Sequence, residues 1–249
     1  MELTILGAGT AIPTPQRSAA SLLVRVGDTP LLFDMGPGAV ARLDAAGVSY
    51  RDLEYIFLTH HHSDHTLDLA TFLQANDSTP GWTRTQPVHL IGCQGTLKFY
   101  EQLMQVFPGI APQSYALDLR EVGAERIEFG AWAIESALTG HTSSSVAFRV
   151  EAEDKAIVYS GDATENAELA RLARDADAFV CECAFPVGWQ TRDHMTADAV
   201  GRVARAAKAK RVVLTHLYPP ALVVDIAAQV RAEYGGEIIV AVDGTRVVV

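Results

Sequence analysis

The sequence predicts an α+β protein in which antiparallel and mixed sheets are covered on their outer sides by helices. Two observations carry this expectation. Short apolar runs that read as strands outnumber the stretches that read as helices. The earliest strands also follow one another with no helix between them, which is not a simple βαβ alternation. The chain has 249 residues, 49% hydrophobic and 20% charged, with no low-complexity stretch or long linker. That composition excludes disordered and fibrous classes and leaves enough chain to bury a large core.

Strands are expected at Leu3–Leu6, Ser21–Val26, Pro30–Asp34, Tyr55–Leu58, Val88–Ile91, Ile127–Phe129, Ser145–Val150, Ala156–Tyr159, Ala178–Cys183, Arg211–Leu214 and Glu237–Val242. Each is rich in Val, Ile, Leu, Phe or Tyr, and the runs are bounded by Gly, Pro, Asp and Ser. Helices are expected at Gly38–Ala46, Thr66–Gln74, Gly95–Val106, Glu165–Arg174, Thr196–Ala209 and Ala221–Tyr234, with Thr196 as an N-cap. The tripeptide Leu-Thr-His occurs at Leu58–His60 and again at Leu214–His216, so each half of the chain has an apolar run ending in histidine.

Twenty basic residues against thirty acidic ones give a formal charge of −10. A protein that coats a polyanion needs clustered Lys and Arg, so that class is disfavoured; a small anionic substrate is not. Cys93, Cys181 and Cys183 cannot make a disulfide framework, and no signal-peptide pattern or bilayer-length apolar run is present. A cytoplasmic location with no membrane association is the expectation.

The informative segment is His60-His61-His62-Ser63-Asp64-His65, directly after the apolar run Tyr55–Leu58. Four histidines and an aspartate in six positions are useless to a core, but they are the donors that borderline divalent metals prefer. Further candidates stand at the ends of other apolar runs: His141, Asp162 and His216.

The ordered set His60, His62, Asp64, His65, His141, Asp162 and His216 resembles the metallo-β-lactamase superfamily, over essentially the whole chain. The resemblance implies a single domain, residues 1–249, with a four-layer αβ/βα sandwich: two facing mixed sheets with helices outside. It assigns His60, His62 and His141 to one metal and Asp64, His65 and His216 to a second, with Asp162 bridging. Within the superfamily the chain is most similar to ribonuclease Z and its phosphodiesterase relatives. The features that carry this are Leu6-Gly7-Ala8-Gly9-Thr10 with Pro13 and Arg17, Phe33-Asp34-Met35-Gly36, Tyr159-Ser160-Gly161-Asp162, Glu182-Cys183-Ala184-Phe185 and His194-Met195-Thr196. The resemblance implies that Glu182 and His194 assist the leaving group and, with Asp64, form the catalytic set; a homodimer is also implied.

The departures are specific. Only twenty residues separate His141 from Asp162, so the long arm with which ribonuclease Z grips tRNA is missing. After His216 the chain reads Leu217-Tyr218-Pro219-Pro220 in place of an Arg- and Tyr-bearing segment, and Asp68 stands where glycine is usual. These features disfavour tRNA as a partner.

Two neighbouring divalent metals share a water and lower its pKa, and the resulting bridging hydroxide would attack phosphorus or a carbonyl carbon. Zinc suits a set of N and O donors without thiolate; manganese or iron would also fit. Asp34 and Asp68 are candidates to orient ligand histidines. His194, its pKa raised by Glu182, would protonate the leaving oxygen. His61 is expected to be a spacer and His89 structural, while Cys181 and Cys183 share one strand face in the core. The Gly7-Ala8-Gly9 turn lacks the third glycine and the following helix of a dinucleotide loop. The expected function is a dinuclear metal-dependent phosphodiesterase acting on a small anionic or ester substrate. The alternative is a hydrolase of carbonyl or sulfate esters (a lactone, thioester, β-lactam or aryl sulfate) at the same site.

Overall fold

The computed structural model describes residues 1–12 and 14–249; Pro13, quoted above, lies outside the described residues. In the first half, strands β1 (Glu2–Gly7), β2 (Ser21–Val26), β3 (Thr29–Phe33), β4 (Tyr55–Leu58), β5 (Val88–Cys93) and β6 (Leu117–Val122) alternate with helices α1 (Ala39–Ala45), α2 (Ser63–Thr66), α3 (Asp68–Ser78) and α4 (Thr96–Val106). In the second half come β7 (Arg126–Glu128), β8 (Ala133–Leu138), β9 (Val146–Ala152), β10 (Lys155–Tyr159), β11 (Ala178–Glu182), β12 (Arg211–Thr215), β13 (Glu237–Val240) and β14 (Arg246–Val248), with helices α5 (Ala167–Leu172), α6 (Ala197–Ala207), α7 (Pro219–Leu222) and α8 (Ile226–Arg231).

Among the described residues these strands make two seven-stranded sheets, ordered β14-β1-β2-β3-β4-β5-β6 and β13-β12-β11-β10-β9-β8-β7. Both are mixed. β1, β2 and β3 run antiparallel, and β3 through β6 run parallel. In the other sheet β7 through β10 run antiparallel, and β10 through β13 run parallel.

The central strands are apolar on both sides because each sheet is covered on both faces. Phe33, Phe57 and Ile91 of the first sheet meet Ile134, Phe148, Tyr159, Val180 and Val213 of the second in one shared core. On the outer faces, Leu32, Ile56 and Leu58 pack with Leu69, Phe72 and Leu73 of α3, while Phe179, Cys181 and Leu214 pack with Val200, Val203 and Ala204 of α6. The expected four-layer αβ/βα sandwich is thus borne out, and Cys181 and Cys183 lie on one buried face as expected.

Several boundaries differ from expectation. The β3 strand stops at Phe33, because Asp34 takes a left-handed backbone with φ 59°. The expected helix Thr66–Gln74 starts earlier, as α2, and continues as α3. The expected helix Ala221–Tyr234 is broken: α7 begins on Pro219-Pro220, and Asp225 restarts the chain as the cap of α8, its Oδ1 accepting from the Ala228 N–H at 2.9 Å. Thr196 does sit at the start of α6, but its hydroxyl donates to Asp198 (2.7 Å) and leaves the helix amides uncapped. Strands β6, β8 and β14 were not anticipated. β6 and β14 are edge strands carrying charged residues, and β8 (Ala-Ile-Glu-Ser-Ala-Leu) contains weak strand formers.

The twenty residues between His141 and Asp162 are largely a bare hairpin, β9–β10, turned by Glu153 and Asp154, both with positive φ. The C-terminal ends of β3, β4, β8, β10, β11 and β12 meet at one rim of the sandwich. There Gly161 holds φ at +55°, and a Cβ on it would press into the Thr59 side chain at 2.6 Å. Gly161→Ala should therefore cost at least about 1–2 kcal/mol from the left-handed backbone alone. Urea unfolding should show the midpoint fall with the slope unchanged.

Candidate metal centre

The rim gathers all seven candidate ligands. His60 and His62 leave the end of β4, and Asp64 and His65 sit in the first turn of α2. His141 follows β8, Asp162 follows β10, and His216 follows β12. His216 adopts φ +53°, a conformation few non-glycine residues tolerate, and its N–H donates to the Ala8 carbonyl at 2.9 Å. The Gly7-Ala8-Gly9 turn therefore serves to seat a histidine.

Three groups have ligand atoms within 4.8 Å of one another: His60, His62, His141 and Asp162; Asp64, His65 and His216; and a third that joins Asp162 and His216 to His194. The first two hold the seven candidate ligands. Asp162 lies between them. Its Oδ2 is 3.7 Å from His60 Nε2 and 3.6 Å from His141 Nε2, and its Oδ1 is 3.3 Å from both His65 Nε2 and His216 Nε2. Oδ1 is buried and has no hydrogen-bond partner among the described residues. In the first group His62 Nδ1 lies 3.0 Å from His60 Nε2 and 3.2 Å from His141 Nε2. Nitrogens converging this closely, around an unsatisfied carboxylate oxygen, need a proton or a cation among them. The donor set fits divalent metal.

The outward nitrogens are held by the protein. Asp34, fully buried, accepts from His65 Nδ1 at 2.7 Å, from the Thr59 N–H at 2.8 Å, from the Thr59 hydroxyl at 2.9 Å and from the Tyr159 hydroxyl at 3.0 Å. Thr59 Oγ1 in turn lies 3.0 Å from His60 Nδ1, and His141 Nδ1 donates to the Asp193 carbonyl at 2.7 Å. These contacts turn the Nε2 lone pairs of His60, His65 and His141 toward the site.

Electrostatics match that arrangement. Burial, reinforced by the neighbouring His65, pushes His60 down to about 2, so its ring is neutral. Burial opposes ionisation of Asp64, but His216 and His65 outweigh it and hold the carboxyl at about 2. Burial likewise opposes ionisation of Asp162, yet His216, His65 and His60 keep it well below the usual range. His65 is held well above its ordinary value against burial, by Asp162 and Asp34.

Beside this centre lies His194. Its Nδ1 is 3.1 Å and 3.2 Å from the two oxygens of Glu182, and 4.0 Å from Asp162 Oδ2. Glu182 has no exposed surface, and it also accepts from the Ala163 N–H at 2.5 Å and the Met195 N–H at 3.2 Å. Burial disfavours the imidazolium, but Glu182, Asp162 and Asp193 raise His194 to about 9.

The remaining histidines stand apart. His61 turns away, stacks on Phe99 at 5.0 Å and meets the Thr96 hydroxyl at 2.9 Å. His89 stacks on Tyr55 and pairs with Asp118 at 3.2 Å. Asp34 orients a histidine as expected, but Asp68 does not: its Oδ2 accepts from the Val40 N–H at 2.8 Å, which ties α1 to α3. Sequence reasoning missed Thr59, Tyr159 and the Asp193 carbonyl. Thr59 had a signal, since it sits between an apolar strand and the first ligand; the carbonyl had none.

A four-layer sandwich with a His/Asp cluster at its rim is the architecture of a metal-dependent hydrolase. Residues 14–216 match the model of the metallo-beta-lactamase superfamily, and the chain belongs to that superfamily. Ribonuclease Z of Mycobacterium sp. (strain KMS) is 30% identical over 243 residues, which cover 88% of this chain and 85% of that protein. Two solved structures share the fold. The metallo-beta-lactamase fold protein YhfI of Bacillus subtilis aligns with a TM-score of 0.86 at 20% identity, over 99% of this chain and 98% of that one. The short form of human tRNase Z aligns with a TM-score of 0.81 at 21% identity, over 100% and 99%.

Because Asp34 orients His65 directly and His60 through Thr59, Asp34→Asn should weaken metal binding roughly 10- to 100-fold. Titration of the chelated protein with zinc, followed by calorimetry, checks this. Undiminished affinity would remove Asp34 from the ligand network.

Proposed function

We propose that this protein is a phosphodiesterase that works with two divalent cations, zinc being the best match to a donor set of imidazoles and carboxylates. His60, His62 and His141 would hold one, Asp64, His65 and His216 the other, and Asp162 both. The disposition of Asp162 supports the shared role, since each of its oxygens faces a different group. When bound, such cations acidify water and neutralise charge on phosphoryl oxygens.

The observation that carries the reaction type is the His194–Glu182 pair. Glu182 is fixed by two backbone N–H groups, so it holds His194 Nδ1 in one direction. That leaves Nε2 to carry the mobile proton. A proton donor beside Asp162 serves a reaction whose leaving oxygen departs as a poor alkoxide, as in phosphodiester cleavage. The alternative, cleavage of carbonyl or sulfate esters, uses the same ligands, and its thioester and aryl sulfate substrates release thiolate or phenolate, which depart without such a donor.

A small anionic diester is favoured over tRNA. The interval where ribonuclease Z carries its arm is the tight β9–β10 hairpin here, and the chain carries a formal charge of −10. Precursor tRNA cleaved at full strength would overturn this preference.

Metal analysis of the zinc-replete protein should give about two equivalents; less than one would exclude a dinuclear centre. His194→Ala should lower turnover by about 10²- to 10⁴-fold on a diester with an alkoxide leaving group, and only slightly on one that releases nitrophenolate. An equal loss on both removes the proton-donor role. With the pKa of His194 raised by Glu182, the protonated form is present at neutral pH and is lost as pH rises, so the alkoxide reaction should show an alkaline limb. That limb should be absent in His194→Ala.

A further inference from the structure

At the end of the sandwich away from the metal-centre rim, a cation is buried without an anion. Arg84 lies in the segment between α3 and β5 and is 1% exposed. Its guanidinium has five N–H groups and no acceptor. Nε donates to Asn76 Oδ1 of α3 at 2.6 Å, and Nη2 donates to the carbonyls of Tyr50, Arg51 and Leu53 at 3.1, 2.9 and 3.0 Å. Nη1 is buried and has no partner among the described residues. Glu54 and Asp52 act on the charge from a distance, and neither pairs with it among the described residues. Every hydrogen bond that Arg84 makes is thus to a neutral group. A full charge held this way is costly unless a counter-charge accompanies it.

The surroundings restrict what can supply that charge. The Arg84 Cζ lies 5.6 Å from the ring centre of Tyr115 and 5.9 Å from those of Phe72 and Trp82. These rings spread their π-electrons beside the cation but bring no carboxylate. Tyr115, just before β6, is 8% exposed, and its hydroxyl is a second buried group without a partner among the described residues. Burial, reinforced by Asp77, raises its pKa, so the phenol keeps its proton at neutral pH. Two side chains in contact therefore each hold an unused donor. A water between them would have two hydrogens of its own to place, and the nearby carbonyls of Tyr50, Arg51 and Leu53 are already engaged by Nη2. An anion accepts from both donors and neutralises the guanidinium.

We propose that Arg84 Nη1 and Tyr115 Oη bind a small monovalent anion of the halide class, chloride under ordinary salt conditions. Neither atom reaches solvent, so the site suits a single-atom ion and not a phosphate or a carboxylate. The ion completes a staple. Arg84 already joins α3 to the turn Tyr50–Asp52 and to Leu53 just ahead of β4, and Tyr115 adds the segment that leads into β6. The site is separate from the metal centre and does not depend on the reaction proposed above.

Thermal unfolding of the zinc-replete protein, with chloride replacing gluconate at constant ionic strength, tests this. The midpoint should rise and saturate, by about 2–4 °C. Tyr115→Phe should raise the chloride concentration for half of that effect by about tenfold or more, since it removes one hydrogen bond to the ion. Arg84→Met should abolish the chloride dependence. No rise in the wild type, or an equal rise in all three proteins, as chloride bound to zinc at the rim would give, would overturn the proposal. Crystals of the zinc-replete protein soaked in bromide supply a second readout, which Tyr115→Phe carries alone should Arg84→Met fail to fold. Anomalous density within hydrogen-bond reach of both Nη1 and Oη, weakened in Tyr115→Phe, is expected. A water at that position without anomalous signal, or a direct Nη1–Oη hydrogen bond, would remove the ion.

Discussion

A carboxylate with no exposed surface, Asp34, sits where the two sheets meet and accepts from His65, from both donors of Thr59 and from Tyr159. A buried anion is tolerated only when its oxygens are saturated by donors. Here every donor has a second task. Tyr159 closes β10 of the second sheet, Thr59 closes β4 of the first, and His65 belongs to the helical turn that carries Asp64. The carboxylate thus fastens the sandwich at the rim where the ligands gather. It also selects the His65 tautomer directly and acts on His60 through Thr59. Asp34 reaches these partners from a left-handed backbone, which ends β3 and turns the chain across the rim.

With Asp34 in place, the charge of the site is set by the remaining groups. Asp64 and Asp162 remain ionised in surroundings that disfavour charge, because imidazoles crowd them. Burial holds His60 neutral, while Asp162 and Asp34 raise His65 against burial. Divalent cations would relieve both conditions together, by taking the Nε2 lone pairs and satisfying the stranded Oδ1 of Asp162. Metal binding and stability should therefore be linked, since cations bound among these donors would satisfy groups that the fold holds together.

Much of this was legible in the sequence, for reasons that differ from residue to residue. The cluster of candidate ligands was legible because few side chains can bind a borderline metal, and the histidine-rich segment has no use in a core. The sandwich was legible in outline because a buried strand must be apolar. Its edges were not: β6 alternates Leu117 and Leu119 with Asp118 and Arg120, a half-buried pattern that resembles a polar loop when read without its neighbours. Asp68 was misread because an aspartate at a helix start has several uses, and only the fold shows that the Val40 N–H is its partner. Tyr159 and Thr59 have ordinary identities, and their roles arise from the meeting of two sheets. The Asp193 carbonyl belongs to every residue type equally, so no sequence pattern could announce it.

That carbonyl has a structural consequence. The loop from Pro186 to Asp193 fixes His141 through its last residue, presents Trp189 near its middle and leads directly into His194. One short segment, pinned at its base by the Phe185 hydrogen bonds, therefore both orients the candidate ligand His141 and carries His194 to the rim. The Asp34 network at the strand ends has no comparable freedom, because Asp34, Thr59 and Tyr159 also join the two sheets. Substitutions in the middle of the loop can alter the surface beside the site while both of its ends stay fixed. The fold can thus keep its metal donors and change its substrate by varying a few surface residues, which is how one scaffold comes to serve many reactions.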